Sequence, residues 1–154
     1  MTLIKKYFPQ ISDSQIMKLS IFEKLIKEWN KKINLVSRKD VENFQINHII
    51  HSLSISKLIF FKPKTKILDI GTGGGLPGIP LAIIFPEAKF HLVDRKKKKM
   101  DVLVDIIKKL ELNNVKIEAR DAKDILDKYD FILNRAVSST ENILSLCKNK
   151  LCFK

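Results

Sequence analysis

Ile16, Leu19, Phe22, Ile26, Trp29 and Ile33 recur every three or four positions, which predicts a helix with one apolar face. Ser12 and Gln15 stand just before this stripe with the spacing of a capping box, in which side chain and backbone of the two residues satisfy each other. Shorter helical stretches are predicted at about residues 41–50 and 53–61, the second ending before Pro63. Beyond Pro63 the pattern switches to short apolar runs alternating with helical periods. Strands are predicted at Lys66–Ile70, residues 89–93, Val115–Ala119 and residues 130–134. Between and after them come a glycine-rich turn with a brief helix ending at Pro86, a helix at about 96–110 and a last one at about 140–148. Met100, Leu103, Val104, Ile107 and Leu110 share one face of the 96–110 helix. Strand–helix alternation with short connections implies a parallel sheet with helices on both faces. The expected fold is α/β, a Rossmann-like sheet over residues 63–154 behind a helical N-terminal cap over residues 1–62, with no linker or repeat between them.

Composition narrows the chemistry. At 154 residues and 45% hydrophobic, with five glycines and five prolines, the chain can bury a real core and is neither disordered nor collagen-like. No apolar run approaches the roughly 18 residues of a membrane span, and residues 1–10 lack the apolar run of a signal peptide. The two cysteines, Cys147 and Cys152, have no second ligand pair for zinc, so reduced thiols in a cytoplasmic protein are expected. Basic residues outnumber acidic ones 29 to 17, a net charge of +12, which favours a polyanionic partner. Because 25 of those cations are lysine, a bias that genome composition can produce, position matters more than the total. Residues 1–66 carry 13 basic against 5 acidic side chains, and residues 95–109 carry 7 against 2.

All five glycines fall between residues 71 and 78, in Asp69-Ile70-Gly71-Thr72-Gly73-Gly74-Gly75-Leu76-Pro77-Gly78. Glycine in a strand-to-helix turn permits positive φ and lets a ligand approach the backbone N–H groups closely. The run Gly73–Gly78 fits the dinucleotide pattern G-x-G-x-x-G, with Asp94 about 20 residues on to hold a ribose. The run Asp69–Gly75 fits D-x-G-x-G-x-G, as in S-adenosylmethionine (SAM) methyltransferases. A pyrophosphate on the helix N-terminus would be disfavoured by a carboxylate two residues before the first glycine, whereas the ammonium and sulfonium of SAM would be favoured by it. Charge therefore selects SAM, with Asp94 accepting from the ribose diol.

At this point the chain resembles the small-subunit ribosomal RNA guanine-N7 methyltransferases, also called glucose-inhibited division protein B. The residues that carry the resemblance are Asp69 through Ile84 with the ending Leu76-Pro77-Gly78-Ile79, then Phe85-Pro86-Glu87. Trp29-Asn30, Ile33-Asn34-Leu35, Ser37-Arg38, and His48 with Ser52-Leu53 are similar to the family's N-terminal region, and Asn134-Arg135-Ala136-Val137 to its R-A motif. The similarity spans roughly residues 7–147. It implies a SAM cofactor and 16S rRNA or the small ribosomal subunit as partner, in a monomer with no membrane attachment. It also implies contacts to SAM from Gly71 and Leu76, adenine contacts from the segment Arg120-Asp121-Ala122, and Arg135 at the cofactor pocket. With Asp69, Gly73, Gly75 and Asp94 from the loop reading, Asp121, Ala122 and Arg135 complete the candidate set. The chain departs from the family at Arg95, where serine is usual, and at Ala122, where glutamate is usual. Such enzymes have seven strands, and this chain ends at Lys154 where a fifth is expected to begin, so a shortened copy with a bare fourth-strand edge is expected.

Guanine N7 carries a lone pair and no proton, so its methylation needs alignment rather than a general base. No catalytic residue is named on that ground; Asp69 and Arg135 are assigned positioning roles, Arg135 beside either SAM or an RNA phosphate. Arg95-Lys96-Lys97-Lys98-Lys99 opens a helix against its dipole, which suggests phosphate contacts, with Asp101 and Asp105 expected to pair with Lys97 and Lys109. His48 and His51 lack partners at metal-ligand spacing, so no metal is expected, and Trp29 is assigned to the core. Two other readings remain: an NAD-dependent oxidoreductase, which has no use for Asp69, and a non-catalytic RNA-binding remnant.

Overall fold

In the computed structural model, residues 2–135 and 140–152 are described. The capping box at Ser12 forms: the Gln15 N–H donates to Ser12 Oγ at 3.2 Å and the Ser12 N–H to Gln15 Oε1 at 3.0 Å. It opens helix α2 (Asp13–Asn30), which follows a short helix α1 (Thr2–Tyr7) that periodicity did not predict. Leu19, Phe22, Leu25 and Ile26 are its buried face. Trp29 is half-buried and packs against the core, while its indole N–H reaches the edge and donates to Asp105 Oδ2 at 3.1 Å.

The rest of the cap departs from the expected pair of helices. Helix α3 (Arg38–Val41) is one turn, and a π-helical turn, Gln45–Ile50, runs without a break into α4 (His51–Leu53) and a 3₁₀ turn, Ser54–Lys57. Helical structure thus continues through the predicted gap after Ile50 and stops at Lys57, short of Phe61. The physical reason is the wide turn: a π-turn carries more residues per turn, so the apolar positions drift out of the 3.6 period that would mark one helix.

Four parallel strands follow: β1 (Lys66–Ile70), β2 (Lys89–Asp94), β3 (Val115–Ala119) and β4 (Phe131–Asn134). Helix α5 (Gly78–Ile84) links β1 to β2 and α6 (Lys97–Lys109) links β2 to β3. Helix α7 (Thr140–Cys147) follows β4. The spatial order β3-β2-β1-β4 reverses direction at β1, with Ile67 opposite both Phe90 and Phe131. That reversal opens a crevice at the strand carboxyl ends, the standard ligand position in an open α/β sheet.

One continuous hydrophobic cluster joins Ile4, Phe8, Phe22, Phe44 and Leu53 of the cap to Ile67, Ile79, Phe90 and Leu103 of the α/β part. A smaller cluster on the other sheet face holds Leu68, Ile70, Val93, Ala122, Ile125 and Tyr129, with Cys147 of α7 packed against it. Among the described residues β4 pairs only with β1, and beside its entry Tyr129 forms a parallel bridge to Leu151. Ala136 and Val137 of the R-A motif lie outside the described residues. Asp105 pairs with Lys109 at 2.8 Å as expected, whereas no Lys97–Asp101 ion pair forms among the described residues; Lys97 opens α6 with no side-chain cap before it.

Candidate cofactor site

A cavity of about 710 Å³ lies at the carboxyl ends of all four strands, within the usual range of roughly 300–1,000 Å³ for small-molecule sites. Its wall is built by turns. After β1 the chain bends through Gly71 (φ 66°) and Gly73 (φ 57°), conformations costly for a residue with a Cβ. The Gly71 and Thr72 N–H groups donate to the Val93 carbonyl at 2.8 and 3.1 Å, which ties the loop to the end of β2.

Asp94 joins the two turns. Its Oδ2 accepts from the Gly73 N–H at 3.1 Å and its Oδ1 from the Lys96 N–H at 2.9 Å, while the half-buried carboxylate still faces the cavity. After β3, Asp121 caps the 3₁₀ turn Ala122–Asp124 through Lys123 N–H at 3.1 Å, with Arg95 3.8 Å from its other oxygen. Ile70, Leu76, Val93 and Ala122 supply an apolar floor between the two carboxylates.

Of the nine predicted residues, Gly71, Gly73, Leu76, Asp94, Asp121, Ala122 and Arg135 line this cavity; Asp69 and Gly75 do not. Asp69 is fully buried beneath the loop, where its Oδ2 accepts from Thr72 Oγ1–H at 2.7 Å and from the Gly78 N–H at 2.9 Å. Its Oδ1 is buried with no partner among the described residues, and burial raises its pKa to about 6. The carboxylate thus fastens the loop from below instead of facing a cofactor's cationic end. Gly75 is required by its backbone, at φ 82°, and packing adds to this, since a Cβ there would stand 2.5 Å from Ile79 Cδ1.

Residues that sequence reasoning missed come chiefly from the cap. Leu35 and Val36 form a roof over the loop, and Val36 Cγ1 would lie 3.2 Å from a Cβ on Gly74. The Asn30 side-chain oxygen holds that roof by accepting from the N–H groups of Leu35 and Val36 at 2.8 and 3.0 Å. The Asn30-to-Leu35 run was visible in the sequence, but only as a resemblance. Lys99 reaches back from α6 to the Leu35 carbonyl at 3.4 Å, and partial burial lowers its pKa. His48, which the sequence offers as a doubtful metal ligand and as part of the family resemblance but not as a pocket residue, is buried at the cavity and touches Arg135. No group of three metal-binding side chains occurs among the described residues.

The fit to SAM can be judged from donors and acceptors. Two carboxylates at strand ends suit a ribose diol and an exocyclic amine, both hydrogen-bond donors, and the apolar floor between them suits a purine. Arg95, Lys96, Lys99, Arg120 and Arg135 make the rim cationic.

The chain is similar in sequence and fold to known methyltransferases. The family model described as rRNA small subunit methyltransferase G matches residues 15–153. Proteins named ribosomal RNA small subunit methyltransferase G from Christiangramia forsetii and Flavobacterium johnsoniae are 48% and 46% identical. The matches cover 97% and 96% of this chain and 71% of each relative. Among solved structures, TYW2 from M. jannaschii, determined with AdoMet, aligns with a TM-score of 0.57 at 21% identity, over 79% of this chain and 51% of that one, a likeness of fold. PKMT2 from Rickettsia typhi, determined with AdoHcy, aligns with a TM-score of 0.52 at 27% identity, over 66% of this chain and 22% of that one.

Proposed function

Because this chain belongs to the rRNA small subunit methyltransferase G family, we propose that it transfers a methyl group from S-adenosylmethionine to N7 of a guanine in 16S rRNA. What supports the reading most is the convergence of seven sequence-predicted residues on one cavity at the ends of all four strands. In this proposal Asp94 holds the ribose hydroxyls, Asp121 and the Ala122 backbone meet the adenine edge, and Gly71, Gly73 and Leu76 pack under the rest. Asp69 and Gly75 keep the loop in shape from behind. The cofactor supplies a methyl group activated by a sulfonium leaving group.

The chain's own work is binding and alignment. N7 presents a lone pair and no proton, so no side chain has to remove one, and rate comes from holding the base in line. The rim cations Arg95, Lys96, Lys99 and Arg120 face the RNA backbone, and an unpaired loop is where the N7 edge is most accessible. We further propose a cytoplasmic monomer; no described helix is long and apolar enough to cross a membrane.

The test is to incubate the purified chain with methyl-labelled SAM and unmethylated 16S rRNA or small subunits while measuring SAM affinity separately. Label on a guanine N7 is the expected result. Binding without transfer would confine the function to the cofactor step, and neither binding nor transfer in a folded sample would overturn the reading.

A further inference from the structure

Arg135 leaves the end of β4 and crosses to the cap, 87 positions away in sequence, where its Nη2 meets the ring Nδ1 of His48. Its Nη1 donates to the Asn47 carbonyl at 3.3 Å. A guanidinium has only donors, so the imidazole accepts at Nδ1 and carries its proton on Nε2. The residue is held from several sides. The His48 carbonyl accepts from Ser52 Oγ–H at 2.6 Å, the Phe44 ring packs with its centroid 5.0 Å away, and the π-helical turn Gln45–Ile50 carries the residue.

His48 is 5% exposed, and its Nε2 is buried with no partner among the described residues. Burial first, then the Arg135 charge, lowers its pKa to about 4, opposed by Asp40, so the ring is a neutral acceptor near pH 7. Arg135 is itself half-buried and lines the cavity. Two of its five donors are spent on the cap, and among the described residues the others have no hydrogen-bond partner and face the cavity.

We propose that His48 is a positioning residue: its neutral imidazole, accepting at Nδ1, fixes the Arg135 guanidinium at the cavity wall so that the remaining donors bind an oxyanion. The oxyanion is either the carboxylate at the amino-acid end of the cofactor or a phosphate of the RNA. The inference rests on the reading of this cavity as a SAM and RNA site.

The test is a double-mutant cycle. Affinity for S-adenosylhomocysteine is measured by calorimetry and KM for 16S rRNA by methyl transfer, for His48→Ala, His48→Asn and His48→Gln, each with Arg135 present and with Arg135→Ala. Asn places an acceptor oxygen where Nδ1 stands, whereas Gln extends to the Nε2 position. His48→Ala should cost about tenfold in whichever constant Arg135→Ala itself damages, and under about twofold once Arg135 is gone. His48→Asn should recover most of the loss and His48→Gln should not. A change in affinity identifies the cofactor carboxylate; a change in KM for RNA identifies phosphate. Equal losses in both backgrounds, rescue by Gln as good as by Asn, or no effect of Arg135→Ala on either constant would overturn the proposal. Nitrogen-15 spectra of the histidines give a reading that needs no cofactor: His48 should be protonated at Nε2 and bare at Nδ1 near neutral pH, and the opposite tautomer also overturns it. A wild-type chain that binds no S-adenosylhomocysteine while showing the expected tautomer would instead sink the functional reading.

Discussion

The loop of residues 69–78 and the corner where Arg135 meets His48 wall the same cavity, yet they are held by different means. The loop is ten consecutive residues pinned by backbone N–H groups to Val93, Asp94 and Asp69, with Thr72, Gly74, Leu76 and Gly78 buried. The corner is two side-chain hydrogen bonds across 87 and 88 positions, ending in a half-buried guanidinium. A backbone-pinned wall has one shape and fails by unfolding. A side-chain-pinned wall can lose its geometry while the fold stands, because few other contacts depend on it.

The largest effect expected from that contrast is at Gly78. An added Cβ would stand 2.7 Å from Asp69 Oδ2 and 2.9 Å from Leu92 Cδ1, so Gly78→Ala should destabilise by about 2–3 kcal/mol, read from the urea midpoint. Next is Asp69→Ala, which strands the Thr72 hydroxyl and the Gly78 N–H and should cost about 1–3 kcal/mol along with SAM affinity. A variant that keeps full SAM affinity would remove Asp69 from the site's architecture.

Acid titration distinguishes the two walls by sign. Asp69 has a folded pKa raised to about 6 from 3.8, so its contribution is present below 3.8 and lost as pH rises through about 6. His48 has a folded pKa lowered to about 4 from 6.5, so its contribution is present above 6.5 and lost as pH falls through about 4. The two slopes oppose each other between about 4 and 6, and the wild-type stability there should be nearly flat in what these groups contribute. Urea unfolding across that window should show His48→Asn gaining stability toward acid relative to wild type, and Asp69→Asn losing it. The same slope in both variants would break the comparison. The smallest stability effect belongs to the corner: Arg135→Gln should shift unfolding by under about 1 kcal/mol while weakening ligand binding more than any stability change explains.

Legibility in the sequence follows the same division. The capping box at Ser12, the strand Lys66–Ile70, the positive-φ glycines and Asp94 are readable because each is fixed by neighbours a few residues away. So is the order of strands and helices after Pro63. The role of Asp69 was read from charge alone; it lies behind the loop because its partners, Thr72 and Gly78, are the loop's own donors. The Arg135–His48 contact was invisible because no local period records a hydrogen bond 87 residues long. The cap between residues 41 and 57 departs from the helices its periodicity predicts because a π-turn breaks that period.

Asn30 has a consequence for how such chains can vary in length. Its single side-chain oxygen receives the N–H groups of Leu35 and Val36, and those residues rest on Gly74. The four residues between Asn30 and Leu35 therefore act as a ruler. One residue more or fewer would lift the roof from the glycine loop, whereas the exposed turn at residues 62–64 has no such constraint from the cavity. Insertions and deletions in relatives should accordingly collect in that turn and avoid the interval from 30 to 36.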